Sequence, residues 1–341
     1  MNNQRRKLIQ SGIAAGASLA VTTSVGTAAA ASPPPNKGAR VQPLPTGMTF
    51  ATLATDRGMV LGIRDGDRVL DAALAEKKFR LGAPTTIDDV LHGRGDVSAL
   101  AKLLAKAKAV GPQTLFVATS DARFGPCVTA PEKIVCIGLN YKSHVAEAGE
   151  KLPPVPILFN KFNSALNHHG GTVDVTSEKV AKKFDYEGEL VLVIGKTARD
   201  VGEADALSYV FGYATGHDFS ARDLQMESSQ WMAGKAGDGW GPVGPWLVTA
   251  DQIDPTNLDI ETRVNGELRQ SSNTSRMIFD CKTLVSFISQ RMTLRPGDII
   301  FTGTPEGVIL GYPKDKQVWL KAGDTVTTTI AKTGTLEFKL V

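Results

Sequence analysis

Short apolar runs separated by glycine and polar turns dominate the chain, and they predict a protein built mainly from β-strands. The continuous apolar run at residues 190–194 predicts a strand buried on both faces, and residues 134–139 predict another buried strand. Asn265-Gly266 predicts a type I′ turn between two strands. Helical spacing is rarer, and it predicts amphipathic helices over residues 97–110 and 275–291. Because strands and helices do not alternate regularly, the pattern indicates an α+β fold.

Residues 47–125 predict a small N-terminal domain that precedes the main domain at residues 126–341. The smaller segment contains strand-like pieces at residues 49–53, 60–63 and 68–70. It holds no cluster of reactive side chains, so the chemistry is expected in the main domain.

The first 31 residues predict an export signal. A basic head with the pair Arg5-Arg6 is followed by a weakly apolar stretch at residues 9–25 and by small residues at 27–32. This order resembles a bacterial twin-arginine signal and predicts export to the periplasm by that pathway. A basic disordered tail or a Sec signal remains as an alternative. Residues 32–46 are rich in proline and predict a linker.

The charge balance disfavours nucleic acid and membrane partners. The chain has 38 Lys and Arg against 35 Asp and Glu, and the leader carries the whole excess. A neutral mature protein has no electrostatic footprint for nucleic acid or for an anionic membrane. No later segment reaches the roughly eighteen apolar residues of a membrane span. Three cysteines are too few for a disulfide framework, although a Cys127–Cys281 bridge stays open.

Three carboxylates form the strongest candidate for a metal site. Glu187 and Glu189 are two apart at the start of the buried run, so a strand would place both on one face. Two such carboxylates repel, and a hard cation with oxygen ligands relieves that cost. Asp218 adds a third carboxylate, and a helix predicted to begin near Phe219 would place Asp218 at its N-terminus. Solvated acids on an edge strand and an aspartate helix cap are the alternatives.

Other polar side chains predict a catalytic and substrate-binding set. His144 and Glu147 are three apart on a predicted helix, where a carboxylate can orient an imidazole as a general base. Arg222 and Gln225 share a predicted helix face with Asp218, and the three side chains together match a chelating dicarboxylate. The glycine-rich loop at residues 234–245 carries Lys235, which could stabilise negative charge. A surface ion pair and an ordinary loop are the simpler interpretations.

Together, six blocks in this order resemble the fumarylacetoacetate hydrolase superfamily. They are IVCIGLNYKSHVAE at 134–147, PILFNKFNS at 156–164, DYEGELVLVIG at 185–195, GYATGHDFSARDLQ at 212–225, GKAGDGWGPVGP at 234–245 and TGTPEGV at 302–308. The resemblance covers residues 130–341 and implies a mixed β-roll, usually in a homodimer. The sequence departs from the usual GKSFD pattern at Ala236 and Gly237, in a loop that lines the site in the family, so this departure concerns the substrate rather than the metal.

The resemblance also implies roles for individual residues. Glu187, Glu189 and Asp218 would bind Mg²⁺ or Mn²⁺, with Ca²⁺ as a further alternative. His144 and Glu147 would be the dyad that activates water or moves protons, and Lys235 would assist at the developing charge. The remaining residues would hold the substrate, and they are Lys161, Arg222, Gln225 and Thr304.

The function implied is hydrolysis of an acylpyruvate-type 2,4-dioxo acid. The dyad would deliver water to the distal carbonyl, and a carbon–carbon bond would break to give an enolate held by the metal. A decarboxylase, isomerase or lyase on the same scaffold is the first alternative, acting on oxaloacetate, a homoprotocatechuate-pathway acid or ureidoglycolate. A catalytically inactive exported binding protein is an alternative of another class. No nucleic acid partner, and no membrane insertion after signal removal, are expected.

Overall fold

A computed structural model describes residues 42–111, 115–176 and 179–341. The predicted leader and most of the predicted linker lie outside the described residues. Strands dominate the described part, as the sequence pattern predicts. Its twenty strands are β1 Thr49–Thr55, β2 Gly58–Asp65, β3 Arg68–Asp71, β4 Phe116–Ala118, β5 Phe124–Gly125, β6 Ile134–Gly138, β7 Ile157–Lys161, β8 Leu166–Asn167, β9 Gly171–Val173, β10 Phe184–Asp185, β11 Gly188–Ile194, β12 Val210–His217, β13 Ser220–Ala221, β14 Gly241–Pro242, β15 Leu247–Thr249, β16 Asp259–Val264, β17 Glu267–Asn273, β18 Ile299–Phe301, β19 Thr325–Ile330 and β20 Gly334–Leu340.

The helices of the described residues are short, and none is long and apolar enough to cross a bilayer. The helix predicted over residues 97–110 is confirmed as α3. The seven α-helices in this part of the chain are α1 Ala72–Phe79, α2 Ile87–Leu91, α3 Ala99–Ala109, α4 Lys142–Glu147, α5 Glu203–Ala206, α6 Arg222–Gln225 and α7 Cys281–Ser289.

The larger sheet of the described residues has eleven strands and carries the candidate site at its centre. Its order is β4-β3-β2-β1-β15-β12-β11-β18-β6-β7, and β5 pairs with β1. Strand β11 is antiparallel to both β12 and β18, whereas β18 is parallel to β6. Strands β1 to β4 of the segment 47–125 join this sheet through the pairing of β1 with β15. The α+β class with a mixed sheet is therefore confirmed.

Strand β11 is buried on both faces, as predicted from its apolar run. Val191 and Val193 belong to one hydrophobic cluster, whereas Leu190, Leu192 and Ile194 belong to another. Successive side chains of a strand point to opposite faces, so the sheet has a core on each side. Buried residues of α1, α2 and α3 complete the first cluster, and buried residues of α7 complete the second.

A smaller sheet approaches the larger one at the start of β11, beside Glu187 and Glu189. Its order is β17-β16-β19-β20-β9. Gly188 begins β11, and a Cβ there would overlap Thr262 of β16 and lie 2.8 Å from Thr328 of β19. Only glycine therefore allows this approach of the two sheets, and Glu187 and Glu189 flank the point of contact. The predicted turn at Asn265-Gly266 joins β16 to β17, with φ angles of 52° and 84°.

The helix predicted over residues 275–291 is too long. Helix α7 begins only at Cys281, with Asp280 accepting a backbone hydrogen bond in its first turn. The preceding residues are held outside the helix because the backbone carbonyl of Asn140 accepts the N–H of Ile278 at 2.7 Å.

The prediction that a helix begins near Phe219 is also wrong. Residues 220 and 221 form β13, which pairs with β10 through Asp185 opposite Ser220. This pairing keeps the chain extended, and α6 begins only at Arg222. Asp218 therefore lies between two strands rather than at the N-terminus of a helix.

Candidate metal and active site

Two neighbouring strands bring three carboxylates together at the junction of the sheets. Glu187 directly precedes β11, Glu189 lies within it, and Asp218 directly follows β12. The register pairs Gly188 with His217, which places the end of β12 beside the start of β11. One carboxylate oxygen from each acid lies within 4.8 Å of the others. All three side chains are buried, so the fold holds them together despite their mutual repulsion.

Two lysines bind these carboxylates. Lys235 Nζ lies 2.7 Å from Glu187 Oε2 and 2.9 Å from Asp218 Oδ2. Lys161 Nζ lies 2.6 Å from Asp218 Oδ1. Burial would lower the pKa of Lys235, but Asp218 and Glu187 raise it, so the ammonium stays charged.

The carboxylates differ in how readily they ionise. Burial raises the pKa of the Glu189 carboxyl well above its usual range, and the charges of Asp218 and Glu187 raise it further. Burial acts on Glu187 in the same direction, but Lys235 and Arg222 hold the pKa of Glu187 below its usual range. The positive charges of the cluster therefore do not compensate ionisation of Glu189.

The charge count and the ligand atoms fit a divalent cation. Four buried carboxylates face three buried cations here, namely Asp185, Glu187, Glu189 and Asp218 against Lys161, Arg222 and Lys235. Among the described residues Glu189 has no ion-pair partner, and its Oε2 accepts the backbone N–H of Gly303 at 2.7 Å. Oxygen ligands with excess negative charge suit Mg²⁺ or Mn²⁺. The residues present thus fit the predicted metal set.

The predicted dyad is formed and is held from two sides. His144 Nδ1 lies 2.8 Å from Glu147 Oε1 on helix α4. Because a carboxylate only accepts, Nδ1 is assigned the proton, which leaves the lone pair of Nε2 free in the neutral ring. Glu147 Oε2 accepts the backbone N–H of Gly307 at 2.9 Å. The imidazole is therefore oriented as a general base requires.

Arg222 connects the carboxylates to Gln225. Its Nε donates to Asp185 Oδ2 at 2.8 Å, and its Nη1 lies 2.6 Å from Glu187 Oε1 and 2.9 Å from Gln225 Oε1. Burial would lower the pKa of Arg222, but Asp185 and Glu187 raise it, so the charge is retained. Its Nη2 is buried and finds no hydrogen-bond partner in the part of the chain that is described. A buried donor left in this state costs about 1–3 kcal/mol, which a ligand oxygen would remove.

A cavity of about 240 Å³ joins Glu187, the His144–Glu147 pair and Arg222. Its polar lining is His144, Glu147, Glu150, Glu187, Arg222, Gln225, Lys235 and Thr304. Its apolar lining includes Ile137, Phe159, Met226, Trp231 and Leu310.

Two predicted substrate-binding residues make contacts with the protein itself. The Thr304 hydroxyl donates to the Gly188 carbonyl at 3.0 Å and accepts from Gln270 Nε2 at 2.8 Å, although Thr304 also lines the cavity. Lys161 Nζ contacts Asp218 and three backbone carbonyls, and Lys161 is not among the residues that line the cavity. The structure thus places Lys161 against Asp218 and outside the cavity lining, and Thr304 at the wall of the cavity.

Sequence reasoning missed Asp185 and Gln270. Asp185 is two residues before Glu187, so the alternation that singled out the two glutamates extends to it. Gln270 Oε1 accepts the Gly188 N–H at 3.1 Å, and its Nε2 reaches Thr304. Nothing in the sequence around Gln270 signals this role, because it depends on the approach of the second sheet.

A mixed β fold that brings a buried carboxylate triad next to a histidine–glutamate pair is the framework of a metal-dependent enzyme. The C-terminal model of the fumarylacetoacetate hydrolase family matches residues 133–341. The chain belongs to this family and is an enzyme.

Relatives with names and structures support the same assignment. A Burkholderia cenocepacia protein named only as a hydrolase is 41% identical over 268 residues, which cover 78% of this chain and 91% of the relative. The structure of a fumarylacetoacetate hydrolase from Exiguobacterium antarcticum has a TM-score of 0.68 at 32% identity and covers 86% of this chain and 99% of that one. A 5-carboxymethyl-2-hydroxymuconate delta-isomerase from Mycobacterium smegmatis has a TM-score of 0.66 at 30% identity, with coverages of 86% and 98%.

Proposed function

We propose that this chain is a divalent-metal-dependent hydrolase that cleaves a carbon–carbon bond in an acylpyruvate-type 2,4-dioxo acid. One observation carries the proposal. Glu187, the His144–Glu147 dyad and Arg222 line a single cavity, and carboxylate oxygens of Glu189 and Asp218 lie within 4.8 Å of one on Glu187. Such a cavity offers a cation site, a general base and a carboxylate anchor to one small oxo acid.

Four residues of the cavity have defined roles in this reaction. Arg222 Nη2 and Gln225 bind the carboxylate of the substrate and fix its orientation. His144 Nε2 takes a proton from water, and Glu147 stabilises the imidazolium that forms. The resulting hydroxide adds to the C4 carbonyl, and the C3–C4 bond breaks with its electron pair left on C3. His144 then returns the proton to C3, so that pyruvate and a carboxylic acid are released.

Glu187, Glu189 and Asp218 would hold the cation. When bound, Mg²⁺ or Mn²⁺ would supply positive charge that lowers the cost of negative charge on the pyruvate portion of the substrate. Lys161 positions Asp218, and Lys235 positions Glu187 and Asp218 through the contacts described above.

An isomerase acting on a related diacid is the second candidate. It is favoured by two similar structures that carry isomerase names, one from Mycobacterium smegmatis and one from Mycobacterium marinum. Proton transfer by the same dyad would suffice for that reaction, without addition of water.

The proposal is tested by turnover of metal-stripped mature protein with and without added Mg²⁺ or Mn²⁺. The substrates are acetylpyruvate, fumarylpyruvate, oxaloacetate and ureidoglycolate. We expect the metal-stripped protein to consume an acylpyruvate only after Mg²⁺ or Mn²⁺ is added. Glu187→Gln should show neither turnover nor stoichiometric metal binding. Glu203→Gln, an exposed change on α5, is the matched control. Metal binding without turnover would reject an acylpyruvate as the substrate. Formation of an isomerised product would favour the isomerase. Absence of metal binding by the wild-type protein would reject the carboxylate site.

We also propose export of the chain through the twin-arginine pathway, and assembly of the mature protein as a homodimer. The first is supported by Arg5-Arg6 and the weakly apolar stretch that follows. Fractionation of cells that express the full chain and its R5K/R6K variant tests it, because a twin-arginine signal should lose periplasmic delivery in the variant. Sedimentation of the mature protein tests the second.

A further inference from the structure

One wall of the catalytic cavity is apolar and aromatic. Phe159 of β7 and Trp231 pack edge to face, with ring centroids 5.7 Å apart and an angle of 71° between planes. Met226 and Leu310 line the same cavity beside them. The Phe159 ring is close to the chemistry, because Lys235 Nζ lies 5.2 Å from its centroid. A substrate bound at the carboxylates therefore has this wall within reach.

Trp231 is seated by two glycines. A Cβ on Gly138 would overlap the Trp231 ring, so the ring lies directly on the backbone of β6. A Cβ on Gly234 would overlap the backbone of residues 221 and 225, so the turn that carries Trp231 is pressed against α6. Close packing of this kind fixes a side chain in one orientation. The indole is thus a built part of the cavity and not a freely moving surface side chain.

The charges of the cavity point to an uncharged substrate arm. Among the described residues that line it, the lysine and arginine side chains are Arg222 and Lys235, and both bind Glu187. They lie at the metal end, where the single carboxylate of an acylpyruvate is expected. The remaining charged side chains of the lining include Glu150, which is exposed. A second carboxylate on the substrate would meet aromatic rings and like charge, which is unfavourable.

Building on the proposed function, we propose that the enzyme takes 2,4-dioxo acids whose acyl arm is apolar and ring-sized, and that Trp231 and Phe159 determine this specificity. The arm packs against the aromatic pair while the oxo-acid end of the substrate is held by Arg222 and by the cation proposed at the carboxylates. Aromatic pairs of this kind favour a ring in offset or edge-to-face contact. Substrates with a second carboxylate at the end of the arm are rejected.

Turnover by the metal-loaded protein is the first test. The substrates are benzoylpyruvate, acetylpyruvate and succinylpyruvate, which carry a ring, a methyl group and a carboxylate on the arm. We expect kcat/KM to be highest for benzoylpyruvate. Trp231→Ala should lower that value about tenfold to one-hundredfold, mainly through KM, and leave acetylpyruvate within about threefold. Trp231→Phe should recover part of the loss, and Met232→Ala, an exposed neighbour outside the lining, should change nothing.

A binding measurement separates this inference from the proposed reaction. 2-Oxo-4-phenylbutanoate and 2-oxoglutarate differ only in a phenyl group or a carboxylate at the end of the chain, and both lack the 4-oxo group required for cleavage. Calorimetry with metal-loaded protein should show tighter binding of the phenyl compound, with that preference lost in Trp231→Ala. If the phenyl compound binds more tightly but no 2,4-dioxo acid is turned over, the proposed hydrolysis is rejected and the inferred preference for an apolar arm is kept. Equal binding, preference for 2-oxoglutarate, or equal losses on all substrates in Trp231→Ala would overturn the inference.

Discussion

Asp185 is expected to be the most sensitive position outside the proposed metal ligands and dyad. Its side chain is fully buried and accepts four hydrogen bonds. Oδ1 accepts the backbone N–H groups of Tyr186 and Ile309, both at 2.9 Å. Oδ2 accepts the backbone N–H of Leu310 at 3.0 Å and Nε of Arg222 at 2.8 Å. One carboxylate therefore ties β10, α6 and residues 309–310 together.

Asp185→Asn keeps the shape of the side chain and removes half of its acceptors. The amide oxygen can still serve one pair of donors, but the amide NH₂ then faces the other pair as a donor. Arg222 loses a charged partner while it remains buried. Breaking one side of a buried ion pair costs about 3–5 kcal/mol. Urea unfolding of metal-free protein, with linear extrapolation to water, measures the change in free energy of unfolding.

Glu261→Gln is the matched control. Glu261 pairs with Arg263 at 3.1 Å, and these side chains are 44% and 43% exposed. Loss of an exposed pair costs about 0–1 kcal/mol. The argument fails if Asp185→Asn is no more destabilising than this control. A second readout follows from the contact with Arg222, since KM for the oxo acid should rise in Asp185→Asn and stay unchanged in Glu261→Gln.

Three further predictions concern other parts of the molecule. His144→Ala should lower kcat about 100-fold to 10,000-fold with stoichiometric metal binding retained; an unchanged kcat in steady-state assays would remove it from the mechanism. Burial lowers the pKa of His169, whose Nδ1 accepts the Glu337 N–H at 3.1 Å. Protonation therefore favours the unfolded chain, and stability should fall as pH drops from about 7.5 to about 5. His169→Gln should flatten that profile in thermal melts, whereas His92→Gln, on the surface, should not. Gly188→Ala should cost about 1–3 kcal/mol in urea unfolding because the sheets must separate, and an unaltered stability would refute the close approach.

Several of the strands were predictable from the sequence because their signal is local. The apolar run of β11 and the Asn265-Gly266 turn depend on neighbouring residues alone. Glu187 and Glu189 were placed together for the same reason, since strand alternation acts over two residues. The two errors in helix prediction occurred where contacts distant in sequence determine the residue at which the helix begins. The pairing of β13 with β10 and the hydrogen bonds of Asn140 lie far away in sequence.

The surroundings of the site were less predictable than its principal residues. The meeting of Asp218 with Glu187 depends on the register of β12 against β11, which no local pattern reports. The four contacts of Lys161 Nζ, and the seat of Trp231 on Gly138, likewise arise from packing between separate elements. Family resemblance supplied expected roles for residues in the matching blocks, but it gave no signal for Trp231, which lies between two of them.

The loop that follows β18 has a consequence for how substrate range can change. Its Gly303 N–H donates to Glu189, and its Gly307 N–H donates to Glu147, so one short stretch of backbone holds a proposed cation ligand and the carboxylate of the proposed dyad at a fixed spacing. The aromatic wall belongs to different elements, because Phe159 lies in β7 and Trp231 lies in the turn at Trp231–Gly234. Substitutions there can reshape the acyl arm's environment while the reacting groups keep their spacing. Substrate specificity can therefore change by mutation of the wall while the reacting groups stay in place. A change in the loop after β18 would instead disturb Glu189 and Glu147 together.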